Sequence, residues 1–431
     1  MLVRSRNYKK NLPKLIQFGK TPNLNLLEQL KHCDNPNTQT NLLENWIVAV
    51  LDDIIPLKTN RLRPDSPKWL DGETKRLISI KNRFYRKVID SARFSDSLWS
   101  QYKKFRNMVQ SKVKHAKNNY LTKQFGKDTR TFFTEVNNLF GRKCKSNSVP
   151  KEMSNTKNEI VTDPSEIAAV LNHFFTEISS PKPTINVPKL QLPSAFDFSH
   201  VSIAEVANLI TKLNSSKLGG TEQIQASVYK ALISTVAPAL TIIINNCLNI
   251  GCFPDRYKLA LVTPVHKKGI ASSAGNYRPI SSLPVLSKVF EKVLSAQILD
   301  HLTNHSLLSP KQFGYRKGVS CEHMLLCLLD KFLLHLDNKN PQFIAVLSLD
   351  VKKAFDTVDH TLLIDKLRGL FGFSDHAASL LECYRNNRMQ IMKVGTCTSP
   401  PLPISKGVPQ GSIIGPLLFN LMVKGPVPPF H

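Results

Sequence analysis

The sequence predicts a mixed α+β fold, and three observations predict it. Apolar residues recur at steps of three and four over several long stretches, the period of a helix with one buried face. Two short apolar runs, 259–266 and 343–349, are bounded by turn-forming or polar residues, as buried strands are. The chain has 431 residues, 42% hydrophobic and 21% charged. That is enough apolar material for a sizeable core without disulfide staples, and too much for wholesale disorder.

Taken in order, residues 1–57 are mixed and carry no clear site. Gly19-Lys20-Thr21 resembles the end of a phosphate-binding loop, but Lys14 stands where the loop needs its first glycine, so the motif is rejected. Residues 58–145 form a basic region. Within it Trp99, Tyr102, Phe105, Val109, Val113, Ala116 and Tyr120 trace the stripe of an amphipathic helix. Residues 146–200 read as a Ser/Asn/Pro-rich linker holding one short helix around Ile167–Phe175. Beyond it, Val201–Leu213, Ala226–Leu248 and Ile280–Leu302 carry helical spacing, and Leu259–His266 reads as a strand running into Lys267-Lys268-Gly269. The run F-I-A-V-L-S-L at 343–349 reads as a buried strand, followed by a helical Val351–Leu367. The texture changes at Val201, and Pro426, Pro428 and Pro429 would stop any helix in the tail at 423–431. No internal repeat is present.

Charge narrows the function. Lys and Arg number 58 against 32 Asp and Glu, a formal charge of +26. Such a surplus predicts a polyanionic partner. Between Lys58 and Lys151 alone there are 24 basic and 7 acidic residues. Lys103, Lys104, Arg106, Lys112, Lys114 and Lys117 lie off the apolar stripe, placed to meet a phosphate backbone with release of counterions. The alternative is a solvated basic helix packed on a neighbour. A membrane partner fits less well, because the longest apolar stretch, Ala231–Ile244, falls short of the roughly 20 residues a span needs. The start, M-L-V-R-S-R-N-Y-K-K-N-L, lacks a secretory core. Eight scattered cysteines with no C-x-x-C pair suggest reduced thiols and an intracellular setting, cytoplasmic or nuclear.

Three clusters carry candidate chemistry. Asp350 follows the 343–349 run directly. A carboxylate at a strand's carboxyl end can hold Mg²⁺, or can simply cap the next helix. Asp356 and Asp359 read as solvated or capping groups. Gly407-Val408-Pro409-Gln410-Gly411-Ser412 is a rigid turn with an amide beside it, either a backbone-exposing loop for a nucleotide or template strand or a plain turn before a buried helix. Arg278, in N-Y-R-P-I-S, offers a forked guanidinium to a phosphate or to a local carboxylate. Phe313 and Tyr315 lie in the basic turn Q-F-G-Y-R-K-G with Arg316 and Lys317, and suit base stacking or core packing equally. Cys321 and Cys327 read as small core residues, and His301 and His305 as polar groups at a helix end rather than a metal pair.

Five segments in order resemble the reverse transcriptase domain of non-LTR (LINE-like, jockey-like) retrotransposons. They are V-T-P-V-H-K-K-G (262–269), N-Y-R-P-I-S-S-L-P-V-L-S-K-V-F-E-K-V-L (276–294), Q-F-G-Y-R-K-G-V-S-C-E-H (312–323), L-S-L-D-V-K-K-A-F-D-T-V-D-H (347–360) and G-V-P-Q-G-S-I-I-G-P-L-L-F-N (407–420). The resemblance is firm over 201–422 and looser over 58–130. It implies a right-hand polymerase with fingers at 201–342 and an incomplete palm at 343–422, preceded by a basic helical region. The substrates it implies are an RNA template, a DNA primer and dNTPs. It casts Asp350 as a Mg²⁺-binding catalytic carboxylate with the Val351 carbonyl beside it. It sets Phe355 against the nucleotide's 2′-hydroxyl position, Lys267 and Arg278 against the triphosphate, and Gln410 and Gly411 along nucleotide and template. The family's adjacent aspartates beyond the P-Q-G segment do not occur, and Asp52-Asp53 lie far upstream. The expectation is therefore a catalytically incomplete fragment. A non-catalytic nucleic-acid-binding protein is the alternative.

Overall fold

The computed structural model describes residues 2–6, 8–61, 70–90, 96–125, 150–155, 157, 159–177, 195–215, 218–221, 224–337, 343–351 and 353–423. In chain order the first elements are β1 (Leu2–Ser5), α1 (Tyr8–Phe18), α2 (Leu24–Lys31), α3 (Pro36–Ile54), β2 (Lys58–Arg61), α4 (Gly72–Asp90) and α5 (Asp96–Phe125). Next come β3 (Met153–Ser154), β4 (Ile160–Val161), α6 (Pro164–Thr176), α7 (Ile203–Thr211), β5 (Leu218–Gly219), β6 (Ile224–Gln225), α8 (Ala226–Ala231), α9 (Ile233–Ile250), β7 (Leu259–His266) and β8 (Tyr277–Ser282). The rest are α10 (Val285–Asn304), α11 (Cys321–Leu336), α12 (His360–Phe371), α13 (Asp375–Arg385), β9 (Arg388–Val394), β10 (Cys397–Thr398), β11 (Leu402–Ile404) and α14 (Gly415–Val423). The mixed helix and sheet content agrees with the predicted class.

Two compact units hold these elements, one drawn from Met1–Ser5 and Leu57–Asn147, the other from Arg6–Pro56 and Ser148–His431. In the first, α4 and α5 pack together through aromatics. Phe84 meets Tyr102 and Phe105 edge-on at 6.2 and 6.4 Å, and Trp99 stacks on Tyr102 at 5.4 Å. Tyr102 and Val109 are buried, so the expected stripe is the packed face of α5. Residues 62–69, 91–95 and 126–149 of the basic region, Trp69 among them, lie outside the described residues.

In the second unit, a sheet runs β10-β9-β7-β8, with β11 also on β9. β7 sits between β9, to which it is parallel, and β8, to which it is antiparallel. Helix α6 starts at Asp163, whose side chain accepts from the N–H groups of Ser165 and Glu166, with Pro164 in the first turn. It covers the sheet: Ile167, Ala168, Leu171 and Phe175 share a core with Ala260, Val262, Tyr277, Met392 and Val394. The larger core lies among the helices, with Leu240, Ile244, Phe290, Leu294, Leu367 and Tyr384 in it. Residues 1–57, mixed in sequence, give three helices, and Leu15, Leu30, Leu43 and Ile47 join that core. Helix α9, at 18 residues, is long and apolar enough to cross a membrane by length and composition, but it is the one helix of that kind among the described residues and 56% of it is buried within the fold.

Several expectations fail for identifiable reasons. Helical spacing was expected from Ile280, but 277–282 is the strand β8, with Tyr277, Pro279 and Ser281 inward. A proline lacks the helical N–H and disfavours helix in the residue before it. Ala226–Leu248 breaks into two helices at Leu232. The helix expected from Val351 starts only at His360, where Asp359 accepts from the Leu362 N–H as its cap. The largest departure is 343–349. It forms no strand, and Phe343, Val346, Leu347 and Leu349 are exposed. A strand needs a ladder partner for its N–H and C=O groups, and no described strand pairs with this one. Cys321 and Cys327, expected in a core, are exposed on α11, which buries no residue.

Candidate active site

The loop 407–415 organises the site, and its glycines have physical reasons. Gly407 has φ +82°, and a Cβ there would lie 2.8 Å from both Asp356 Cα and the Phe355 carbonyl oxygen. Gly411 has φ +142°, and its Cβ would lie 2.2 Å from the Ser281 carbonyl oxygen. Both positions require glycine for conformation and for close backbone approach. The loop is thereby seated on two other motifs at once. The Ser281 N–H donates to the Gln410 carbonyl at 2.8 Å, the Gly407 N–H to Val358, and the Val408 N–H to Phe355. The Ile413 N–H donates to Glu291 Oε2 at 2.6 Å. Strand β8, the 353–358 turn, helix α10 and the loop are therefore one hydrogen-bonded assembly.

Within this assembly Gln410 Nε2 donates to Asp356 Oδ1 at 2.7 Å. Burial holds the Asp356 carboxyl above its ordinary range, against the opposing pull of Gln410, Lys353 and Lys267. The expected reading of Asp356 as solvated is thus corrected: it is half-buried beside Gln410. Asp359 is the expected cap. Phe355 is half-buried, stacked on Phe419 at 5.0 Å with Tyr315 edge-on at 5.7 Å. Lys267 is exposed at the end of β7, its N–H donating to the Asn276 carbonyl. Arg278 is exposed on β8, opposite Val265. Arg316 is tied to the Ser309 carbonyl at 2.8 Å, and Lys317 is exposed. His301 Nε2 donates to the Phe371 carbonyl at 2.7 Å and the ring is buried, so it is a core histidine.

Asp350 is not part of that assembly. It lies exposed at the end of the uncovered 343–349 run, with Val351 also exposed. Among the described residues no group of three His, Cys, Asp or Glu side chains comes together to hold a metal ion. One carboxylate with a neighbouring carbonyl suits a Mg²⁺ that keeps several waters and takes substrate phosphate oxygens as ligands. It does not make a two-ion site by itself.

On α5, Lys103, Lys104, Lys112, Lys114 and Lys117 are exposed and Arg106 half-buried against Asn107. Lys103 lies 5.8 Å from the Trp99 ring and Lys112 3.8 Å from Glu73. The basic residues thus occupy the faces that the aromatic packing leaves open.

Comparison with known proteins bears on this arrangement directly. Residues 265–430 match the family described as reverse transcriptase (RNA-dependent DNA polymerase). The chain carries a reverse transcriptase domain. It is 30% identical over 251 residues to the "Probable RNA-directed DNA polymerase from transposon BS" of Drosophila melanogaster, covering 58% of this chain and 27% of that protein. It is 31% identical over 218 residues to the polymerase of transposon X-element from the same fly, covering 50% and 24%. With the "RNA-directed DNA polymerase from mobile element jockey" it shares 30% over 227 residues, 52% and 24%. The chain thus aligns with about a quarter of the length of these relatives, which are non-LTR elements as the resemblance implied.

Sequence reasoning missed several residues of the reverse transcriptase domain that meet at the loop. A small cavity beside it is lined by Asp356, His360, Arg385, Arg388, Lys406 and Gln410, among others. His360 Nε2 lies 2.8 Å from the Gly407 carbonyl. Arg385 and Arg388 are buried, at 6% and 3% exposure. A signal for Arg388 existed. In R-M-Q-I-M-K-V it falls on the same alternate face as Met392 and Val394, which puts a cation on the buried side of β9. Arg385, at the end of α13, carried no such signal.

Proposed function

We propose that this chain is part of an RNA-directed DNA polymerase of a non-LTR retrotransposon and that it binds a primed RNA template and a dNTP. The observation that carries the proposal is the seating of the G-V-P-Q-G loop on both β8 and the 353–358 turn, which joins three separate sequence motifs into one rigid surface. On this reading Lys267 and Arg278 take the triphosphate, and Gln410 and Gly411 line nucleotide and template. Phe355, fixed between Phe419 and Tyr315, screens the sugar. Asp350 and the Val351 carbonyl hold Mg²⁺, which when bound neutralises phosphate charge in an in-line transfer. The fingers are assigned to 201–342 and the palm to 343–422, with the basic helices binding the nucleic-acid backbone. Purified chain should bind dNTP in a Mg²⁺-dependent way, and Asp350→Ala should weaken that binding at least tenfold without changing the denaturant midpoint. Mg²⁺-independent binding, or no effect of Asp350→Ala, would remove the metal role.

A second reading is favoured by the exposed Asp350 and the basic face of α5: non-catalytic nucleic-acid binding. If the six basic residues of α5 each meet a phosphate, the log–log salt slope on single strands should approach about −4. Primer extension distinguishes the readings. Extension that is lost in Asp350→Ala supports the polymerase reading and refutes catalytic incompleteness. Salt-steep binding unchanged in Asp350→Ala, without extension, supports the second.

A further inference from the structure

The cavity beside the G-V-P-Q-G loop is built for something the assigned nucleotide residues do not explain. Of the residues assigned to the nucleotide, Gln410 lines it, but the two cations, Lys267 and Arg278, do not. Arg385 and Arg388 do, and both are more than nine-tenths buried. Arg385 Nε and Nη1 and Arg388 Nε and Nη2 have no hydrogen-bond partner among the described residues. Their remaining contacts are modest. Arg388 Nη1 donates to the Tyr384 carbonyl at 2.9 Å, with the guanidinium 4.7 Å from the Tyr384 ring, and Arg385 Nη2 reaches Asn386 Oδ1 at 3.5 Å. Four buried, charged donors without acceptors are expensive in a folded protein, and two such arginines in one small cavity wall call for an acceptor with several oxygens.

We propose that this cavity is an oxyanion site in which Arg385 and Arg388 hold a phosphoryl group. The guanidinium fork matches two oxygens of a phosphate in a way that an ammonium does not. The cavity measures about 40 Å³, room for about three or four waters on a scale where one needs about 10–15 Å³. That suits one phosphoryl group and not a nucleoside. Lys406 and His360 line it as well. Three carboxylates oppose the arginines. Asp356 lines the cavity, but Gln410 occupies its Oδ1 and Lys267 and Lys353 act on it. Glu291 acts on Arg388, but its two oxygens already accept from Tyr384, Ser287 and the Ile413 N–H. Asp359 acts on Arg385, but its side chain caps α12. Each carboxylate has its own donors, and the arginine donors remain open. The phosphoryl group can belong to a nucleic-acid strand lying on the loop or to free phosphate. The inference stands on the cavity and does not need the chain to be catalytically competent.

The test uses the full chain at constant ionic strength. Inorganic phosphate is titrated calorimetrically against a chloride control, on wild type and on Arg385→Gln. The expected result is saturable one-site binding with phosphate only, weakened at least tenfold by Arg385→Gln. A second arm titrates a single-stranded RNA with and without saturating phosphate. Competition assigns the site to a strand phosphodiester, independent binding assigns it to a free anion, and both support the proposal. If Arg385→Gln does not fold, Lys406→Met takes its place with an expected severalfold weakening. A phosphate isotherm that chloride reproduces, or one that neither variant moves, overturns it.

Discussion

Two stretches of the polymerase-like unit have the same apolar texture and opposite fates. Strand β7 lies between β9 and β8 beneath α6, and Ala260 and Val262 are fully buried there. The run 343–349 is at least as apolar, yet Leu347 and Leu349 are 81% and 82% exposed and no regular structure forms. Helix α11, just before it, likewise leaves Leu326 and Leu334 in the open. The difference is partnership. Apolarity says that a segment gains by being covered, but a strand also needs a neighbour for its backbone groups. The consequence is functional. The loop and its arginine cavity are cross-braced, while the carboxylate assigned to the metal stands at the end of the uncovered stretch.

The braced side is where substitution should hurt most. Gly411→Ala places a Cβ against the Ser281 carbonyl and strains a φ of +142°. Strain and overpacking together should cost about 2–6 kcal/mol, read as a loss in the urea midpoint, and an unchanged midpoint would show the loop to be loose. Next is the sheet's cover. Leu171→Ala, at a fully buried position between α6 and the sheet, should cost about 2–5 kcal/mol. Leu334→Ala on α11, 66% exposed, should stay within about 0.5 kcal/mol. Equal costs for the two leucines would erase the distinction drawn here.

What the sequence made legible divides along the same line. Leu259–His266 is the strand expected, residue for residue, and the α5 stripe and the 164–176 helix follow from spacing alone. Each of these has its partner close by, so local pattern and tertiary outcome agree. The motif residues Gln410, Gly411 and Phe355 were legible through the resemblance. Their mutual seating was not, because it depends on hydrogen bonds between segments about fifty residues or more apart. Asp356 was misread because periodicity cannot tell a turn carboxylate that faces solvent from one that faces Gln410. Arg388 shares the alternate face of Met392 and Val394, so its burial was legible in the strand pattern, whereas Arg385, at a helix end, is invisible until the walls around it are known.

The smallest expected effect concerns a slope and not a height. Glu291 is fully buried on α10, and burial pushes its carboxyl above the ordinary range, against the pull of Arg388 and the Ile413 N–H. A carboxyl whose folded-state value is raised contributes stability when protonated. That contribution is present below the unfolded value and is lost as pH rises through the folded one. Between pH 5 and pH 8, then, Glu291 should lower the stability of the wild type. Glu291→Gln keeps an acceptor for the Ile413 N–H and removes the charge. The variant should therefore lose less of its denaturant midpoint than wild type over this range, with the two curves meeting toward acid pH. A variant that loses more than wild type on going to pH 8 would mean that Arg388 outweighs burial. Arg388 would then be spending its charge on Glu291, and the acceptor for the arginine cavity would have to be sought at Arg385 alone.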